Sequence, residues 1–346
     1  MAVLSGRNLT LLDLANIKDP DGSIATVVEI LNEENEILDD MVWKEGNLTD
    51  GHQTTIRTGI PEPTWRKLYG GVMPTKSTTA PIKDTCGMLE AYCEVDKKLF
   101  MLEGQSDAWR LSEDAAHLEG MNQEIAHTLF FGNESSEPEA FTGLSPRFNR
   151  KAGAESGDNV LNAGGTGTEL RSIWLVVWGD NTVHGIVPKG SQAGFQMENL
   201  GQDTKVNPDG SMYEVLRTHY MWDAGLTVRD WRYVVRIANI PMPQNISTVW
   251  NAGEFDTANG QGGPKVNLPN LMFHAMRLVP NLGEGRPAFY MSRDMATAVA
   301  QQTVAMGSAS FLTSDQVGSS QRFTERFHGI PMRRVDKLVV DQSAIA

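Results

Sequence analysis

The chain has 346 residues, a formal charge of −13 at pH 7, 40% hydrophobic and 21% charged residues, 33 glycines and 16 prolines. That balance excludes wholesale disorder and collagen-like repeats, and the densest apolar run, Ile173 to Trp178, is far short of the ~20 residues a spanning helix needs. Two cysteines, Cys86 and Cys93, cannot build a disulfide framework and fit a reducing compartment, while the acid excess disfavours phosphate-backbone binding, which needs clustered Lys and Arg. The N-terminus lacks the basic flank, long apolar core and small-residue cleavage site of a secretory signal. Length alone points to about two domains on a ~150-residue prior, or to one elaborate domain.

Residues 1–50 read as an arm. Arg7, Lys18 and Lys44 stand against eleven acidic residues there, so this stretch carries most of the net negative charge, whereas the last 76 residues are slightly basic. Ser23 is placed to cap a helix with Ile24, Val27, Val28 and Leu31 at helical spacing; the NEENE stretch interrupts that stripe, which resumes at Ile37 and Leu38. Residues 41–92 are rich in Thr, Gly and Pro, with β-type patches at Thr54 to Thr58 and Met88 to Val95 around Gly59-Ile60-Pro61-Glu62-Pro63. Few residues alternate cleanly, so no buried sheet is expected; a long, twisted two-stranded excursion fits, and because isolated hairpins are marginal in water, it calls for a neighbouring chain.

Residues 106–131 carry the clearest helix, with Leu111, Ala115, Leu118, Met121, Ile125 and Leu129 in one stripe and Gly132 ending it. Beyond a turn-rich connection over 141–167, Ser172 to Trp178 reads as a buried strand that returns through Gly179-Asp180-Asn181 to Thr182–Val187 as a hairpin. Residues 191–213 read as a polar loop. Val228 to Ile240 alternates Trp231, Tyr233, Val235 and Ile237 against a polar face of Asp230, Arg232 and Arg236, and predicts one strand. Gly253 to Pro264 is a Gly-rich loop, Leu268 to Leu278 a helix, Ala288 to Met291 a strand, and Ser292 caps a helix ending near Gly307. Arg333 to Val340 is expected to close the chain as a strand. Strands and helices interleave without a βαβ rhythm, which gives an α+β class.

Catalytic and cofactor signatures are weak. Gly164-Gly165-Thr166-Gly167-Thr168 lacks the Lys-Ser/Thr of a P-loop and the third Gly of a dinucleotide fold. There is no nucleophile elbow and no His-Glu-x-x-His. Glu124-x-x-His127, with Glu113 and His117 on the same helix, has di-iron spacing, but its second copy, Glu325-x-x-His328, runs into Gly329-Ile330-Pro331, which cannot continue a helix. Cys86 and Cys93 have no second pair for zinc. Trp174, Trp178, Trp222 and Trp231 could form a sugar- or base-stacking platform, but without a basic cluster beside them they are assigned to core and interface. No catalytic, cofactor-binding or metal residue is assigned, and the chain is read as a non-enzyme without cofactor.

LNEENEILDDMVWKEGN, Pro61-Glu62-Pro63-Thr64-Trp65-Arg66-Lys67, DTCGMLEAYCEVDK, FFGN with FTGLSPRFN, SIWLVVWGDNTVHGIVPKGS, VRDWRYVVRIANI and Gly329 to Asp336, taken together and in order, resemble the major capsid proteins of tailed bacteriophages. The resemblance implies the Hong Kong 97-like fold: an N-terminal arm over 1–40, an E-loop over 41–92, a P-domain over 93–150 with its spine helix at 106–131, an A-domain over 151–320 with some P-domain strands, and a C-terminal P-domain strand over 321–346. It implies hexamers and pentamers tiling an icosahedral shell around double-stranded DNA, with E-loop and arm contacts between subunits and no sequence-specific DNA binding. Partners implied are a portal, a decoration or cement protein, and a separate scaffolding protein, since Met1 is followed almost at once by the arm and no cleaved scaffolding segment is expected. The location implied is the virion capsid, assembled in the host bacterial cytoplasm, with no membrane partner. The competing readings are an encapsulin-like protein compartment and a soluble α+β enzyme.

Overall fold

The computed structural model describes residues 35–102, 107–151, 155–191, 194–241, 266–305, 312–316, 323–339 and 342–345. The helix expected from Ser23 and the Gly-rich loop of 253–264 lie outside the described residues.

The fold is organised around one strand, β5 (Leu170–Trp178), whose residues are all buried. Strand neighbours alternate between faces. Ile173, Leu175 and Val177 enter one core with the helices Leu268–Leu278 and Arg293–Ala305, while Trp174, Val176 and Trp178 enter a second core with Ile37, Ile125, Leu129, Phe130 and Phe148. A strand covered on both faces reads as a continuous apolar run rather than an alternating one. It is flanked by two antiparallel partners, β9 (Val234–Pro241) and β10 (Arg286–Met291).

Thirteen strands are found among the described residues. In chain order the first four are β1 (Trp43–Glu45), β2 (Gly51–Gly59), β3 (Thr78–Asp96) and β4 (Val160–Asn162). Next to β5 in sequence come β6 (Val183–Val187), β7 (Phe195–Val206) and β8 (Met212–Val228), and the chain closes with β11 (Leu312–Gln316), β12 (Phe323–Phe327) and β13 (Ile330–Arg334). A path of hydrogen-bonded neighbours runs β11-β12-β13-β10-β5-β6-β8-β3-β2. The helices are α1 (Ile37–Asp40), α2 (Lys97–Leu102), α3 (Asp107–Phe131), α4 (Leu144–Arg147), α5 (Leu268–Leu278) and α6 (Arg293–Ala305).

Helix α3 has 25 residues and is about 37 Å long at 1.5 Å per residue. Only its second half follows the expected stripe. Met121, Ile125 and Leu129 are buried, whereas Ala115 and Leu118 are exposed, because the body of the protein lies under the C-terminal turns. The chain leaves the helix at Gly132, where a Cβ would lie 2.5 Å from the Phe141 carbonyl oxygen. The returning segment crosses at that distance, and only glycine allows it.

Four other expectations need correction. The polar stretch of 191–213 is a long antiparallel hairpin, β7–β8, turning at 207–210. Both faces of its outer strand are largely in solvent, so no apolar alternation marks it. β5 and β6 do not form a hairpin: they touch at a single parallel bridge, Trp178↔Val183, while β6 pairs β8 and β1. Thr182 donates to the Val177 carbonyl at 2.6 Å and turns the chain there. The single strand expected over 228–240 breaks at a 3-10 turn, Trp231–Tyr233, capped by Asp230. The closing strand is β13, which starts earlier than expected and gives way to a 3-10 turn at Asp336–Val339.

Arg236, only 3% exposed, lies inside β9 rather than on a polar face. It donates to the Phe148 carbonyl at 2.9 Å, to Ser172 Oγ at 3.2 Å and to Gln342 Oε1 at 2.8 Å, and its guanidinium sits 4.9 Å over the Trp174 ring. Burial pulls its pKa down to about 10, so it remains a cation at neutral pH. Through Gln342 it ties the end of the chain to β5, where Leu170 and Gln342 exchange backbone hydrogen bonds.

Candidate assembly surfaces

β2 and β3 form a hairpin that pairs from Gly51↔Thr85 to Gly59↔Thr78. Its tip, residues 60–77, carries no ladder and exposes Ile60, Trp65, Leu68, Tyr69 and Met73; Trp65 and Tyr69 are as open as in an extended chain. The tip also holds Arg66, Lys67 and Lys76 against one acid, Glu62. It has local order, since Arg66 Nε donates to the Gly70 carbonyl at 2.8 Å and Gly70 N to the Lys67 carbonyl at 3.0 Å. Clustered large apolar side chains left in water mark a surface that another molecule covers.

The root of the hairpin is held by charge. Arg147 Nη1 donates to Asp84 Oδ1 at 2.8 Å, and the same guanidinium reaches the carbonyls of Thr142, Gly143 and Leu226. Asp84 is 5% exposed, so this pair is one whose breaking leaves a buried charge. Thr85 donates to Glu134 at 3.0 Å and Lys83 pairs with Asp50. The Cys86 thiol is pushed up to about 12 by burial, with Asp223, Asp50 and Asp84 adding to the rise, and stays protonated.

Past the root, β3 continues against β8 and alternates cleanly. Cys93 and Val95 pack with Leu99, Met121 and Tyr220 on one side, whose phenol donates to the buried carboxylate of Asp114. Met88, Glu90 and Tyr92 face solvent on the other, where the Tyr92 ring stacks on His219 at 4.1 Å and His219 Nε2 lies 3.0 Å from Glu90. Glu94 sits between Lys205 and Arg217; partial burial pushes its carboxyl up, but the two cations outweigh that and hold it below the usual carboxylate range.

The anchor of the arm is a third feature. Asp40, on α1, accepts from Arg333 Nε and Nη2 at 2.9 and 2.8 Å and from the Tyr290 hydroxyl at 2.9 Å, which in turn accepts from Trp178 Nε1 at 2.7 Å. Burial and the Asp40 charge keep the Tyr290 phenol protonated far above the usual range. Glu36 lies 3.7 Å from Arg333, and Asn35 bridges to Val335. The segment leading from the acidic arm is therefore fastened to the C-terminal strand.

The other residues singled out in the sequence are dispersed. Trp174 and Trp178 are in the core, Trp222 and Trp231 half-buried against it. His117 stacks on Tyr220 and His127 lies beside Phe131. Glu325 sits in β12, and His328 in the β12–β13 turn at φ 49°. Among the described residues no three His, Cys, Asp or Glu side chains gather as a metal site, and no helix is long and apolar enough to cross a membrane. The ion pairs Asp40–Arg333 and Asp84–Arg147 escaped sequence reading because partners 293 and 63 residues apart carry no local pattern. Residues 86–92, expected to belong to an excursion without a buried sheet, instead pair with β8 in the main sheet, and Trp43–Glu45 pairs with β6, so the free excursion is shorter than 41–92.

The description of the family whose model matches residues 19–346 is Major capsid protein GP7. The chain belongs to this family. A solved structure of bacteriophage epsilon15 matches with 32% identity over 100% of this chain and 99% of that one, at a TM-score of 0.74. The bacteriophage JBD30 capsid matches at 8% identity over 95% and 99% of the two chains with a TM-score of 0.46, and the SrpI encapsulin of Synechococcus elongatus PCC 7942 at 10% identity over 68% and 97% with a TM-score of 0.43. The curated proteins yielded no match. The fold is the Hong Kong 97-like α+β capsid fold, and the protein is a shell component of a tailed-phage virion that self-assembles. The family match favours the phage head over the encapsulin-like reading.

Proposed function

We propose that copies of this chain assemble as hexamers and pentamers into an icosahedral head around double-stranded DNA, in the host cytoplasm, acting through surfaces and not through catalysis. In this reading residues 1–40 are the arm, 41–92 the E-loop with the β2–β3 hairpin as its reaching part, 93–150 the P-domain built on α3, 151–320 the A-domain with some P-domain strands, and 321–346 a returning P-domain strand. A separate scaffolding protein, a portal and a decoration protein complete the head. The observation that carries the reading is the tip at 60–77, whose Trp65 and Tyr69 are fully open to water among the described residues. An apolar tip on a hairpin clamped at its root is suited to lie across a neighbour.

Electron microscopy of the full chain co-expressed with the other head proteins tests this. Shells are expected from the unaltered chain, and isolated subunits or loose capsomers from the folded Trp65→Ala/Tyr69→Ala variant. Shells of normal size and yield from that variant contradict the assignment.

A further inference from the structure

Two histidines meet where the reaching hairpin joins the body. His52 is the second residue of β2, directly across the ladder from Asp84, and His184 lies on β6. Their rings stand edge to face with centroids 5.9 Å apart. His184 is 1% exposed and His52 half-buried, and the Nδ1 atoms of both are buried without a hydrogen-bond partner.

Two carboxylates favour a proton on the rings, Asp84 at His52 and Asp180 at His184, but each is shared with a cation. Asp84 is engaged by Arg147, and Asp180 is taken by Lys44 at 3.0 Å. Asp50, at the start of the hairpin, pairs with Lys83. Lys44 from β1 and Arg229 from the segment after β8 bring positive charge from two further sides, and Arg229 is itself fixed on the Asp180 carbonyl at 3.0 Å. A cation formed on either ring would sit beside a second imidazole, Lys44 and Arg229.

We infer that the His52–His184 contact is a proton-sensitive catch, which holds the root of the β2–β3 hairpin on β6 while both rings are neutral and lets it go when they take up protons. The physical origin is the cost of charging a buried imidazole among like charges. In agreement, burial, followed by His52, Lys44 and Arg229, outweighs the upward pull of Asp180 and lowers the pKa of His184 to about 4, and burial with Arg229 and Lys44 outweighs Asp84 and lowers that of His52. The docked state therefore has its full stability above the free imidazole value of ~6.5 and loses it progressively as the pH falls from there toward 4. The catch is independent of what the hairpin tip covers. Its consequence for assembly rests on the E-loop reading above; its own test does not.

Hydrogen exchange of the unassembled full-length chain between pH 7.5 and 4.5, corrected for intrinsic rates, provides that test. Peptides covering 51–59 and 183–187 are expected to lose about tenfold or more in protection below pH 6, while the peptide covering 173–177 keeps its protection. In the His52→Gln/His184→Gln variant the loss should vanish. Equal loss in that variant, no loss in the unaltered chain, or loss shared by 173–177 would each overturn the inference. Should the double variant fail to fold, His52→Gln alone must shift the midpoint of the transition by at least about half a pH unit, and an unmoved midpoint counts against the catch. A normal catch in a chain whose tip variant still builds shells would leave this inference standing and remove the E-loop reading.

Discussion

β5 and the β2–β3 hairpin are both strand segments, yet they end in opposite environments. β5 places Ile173, Leu175 and Val177 in one core and Trp174, Val176 and Trp178 in another, so that every side chain along it is covered by the same chain. The hairpin ladder over 51–59 and 78–85 joins its own two strands, and its tip sends Trp65 and Tyr69 into water. The first region supplies the free energy of folding, since large buried side chains each contribute ~1.5–3 kcal/mol. The second withholds apolar surface from folding and keeps it for association. A capsid subunit needs both, because a protomer that buried everything internally would have nothing to offer its neighbours.

The largest effect expected from breaking this contrast is at Trp174, whose ring is packed against Phe130 and Phe148 and lies under Arg236. Trp174→Ala should cost about 3–5 kcal/mol in urea denaturation through the cavity it leaves. Next is Asp40→Ala, which strips Arg333 and Tyr290 of their common acceptor; about 3 kcal/mol is expected, read as a lowered midpoint of thermal unfolding. Arg147→Ala should cost about 2 kcal/mol, by leaving the Asp84 carboxylate buried and unpaired. That loss should appear as faster hydrogen exchange over 51–59 and 78–85 with 173–177 unchanged. At the small end, Trp65→Ala should change the stability of the isolated chain by less than about 0.5 kcal/mol, as expected where nothing is packed. A Trp65→Ala cost comparable to that at Trp174 would erase the distinction between the two regions.

Much of this was legible in the sequence, and the reason differs by element. Helix α5 and the C-terminal half of α3 announce themselves because one face is buried and the other wet, which writes a periodic pattern. SIWLVVW is legible as a buried strand because both faces are covered. The β7–β8 hairpin was invisible because its outer strand is largely solvated on both faces, so its residues obey no burial pattern and its backbone ladder has no side-chain signature. Arg236 misled for the opposite reason: its alternation with Val235 and Ile237 looks like a wet face, but carbonyls, Gln342 and an indole satisfy it internally. At the assembly surfaces the Pro61-to-Lys67 segment and the turn-rich hairpin could be read in advance. The clamps at Asp84–Arg147, Asp40–Arg333 and His52–His184 could not, since each joins residues far apart in the chain.

The claim that the hairpin is completed by a neighbour is tested most directly by comparing hydrogen exchange in unassembled chain and in assembled shells at one pH near 7.5. Peptides covering 51–85 should gain strong protection on assembly, while 173–177, already covered on both faces, should change little. Hairpin peptides that exchange as fast in the shell as in the free chain would contradict the account.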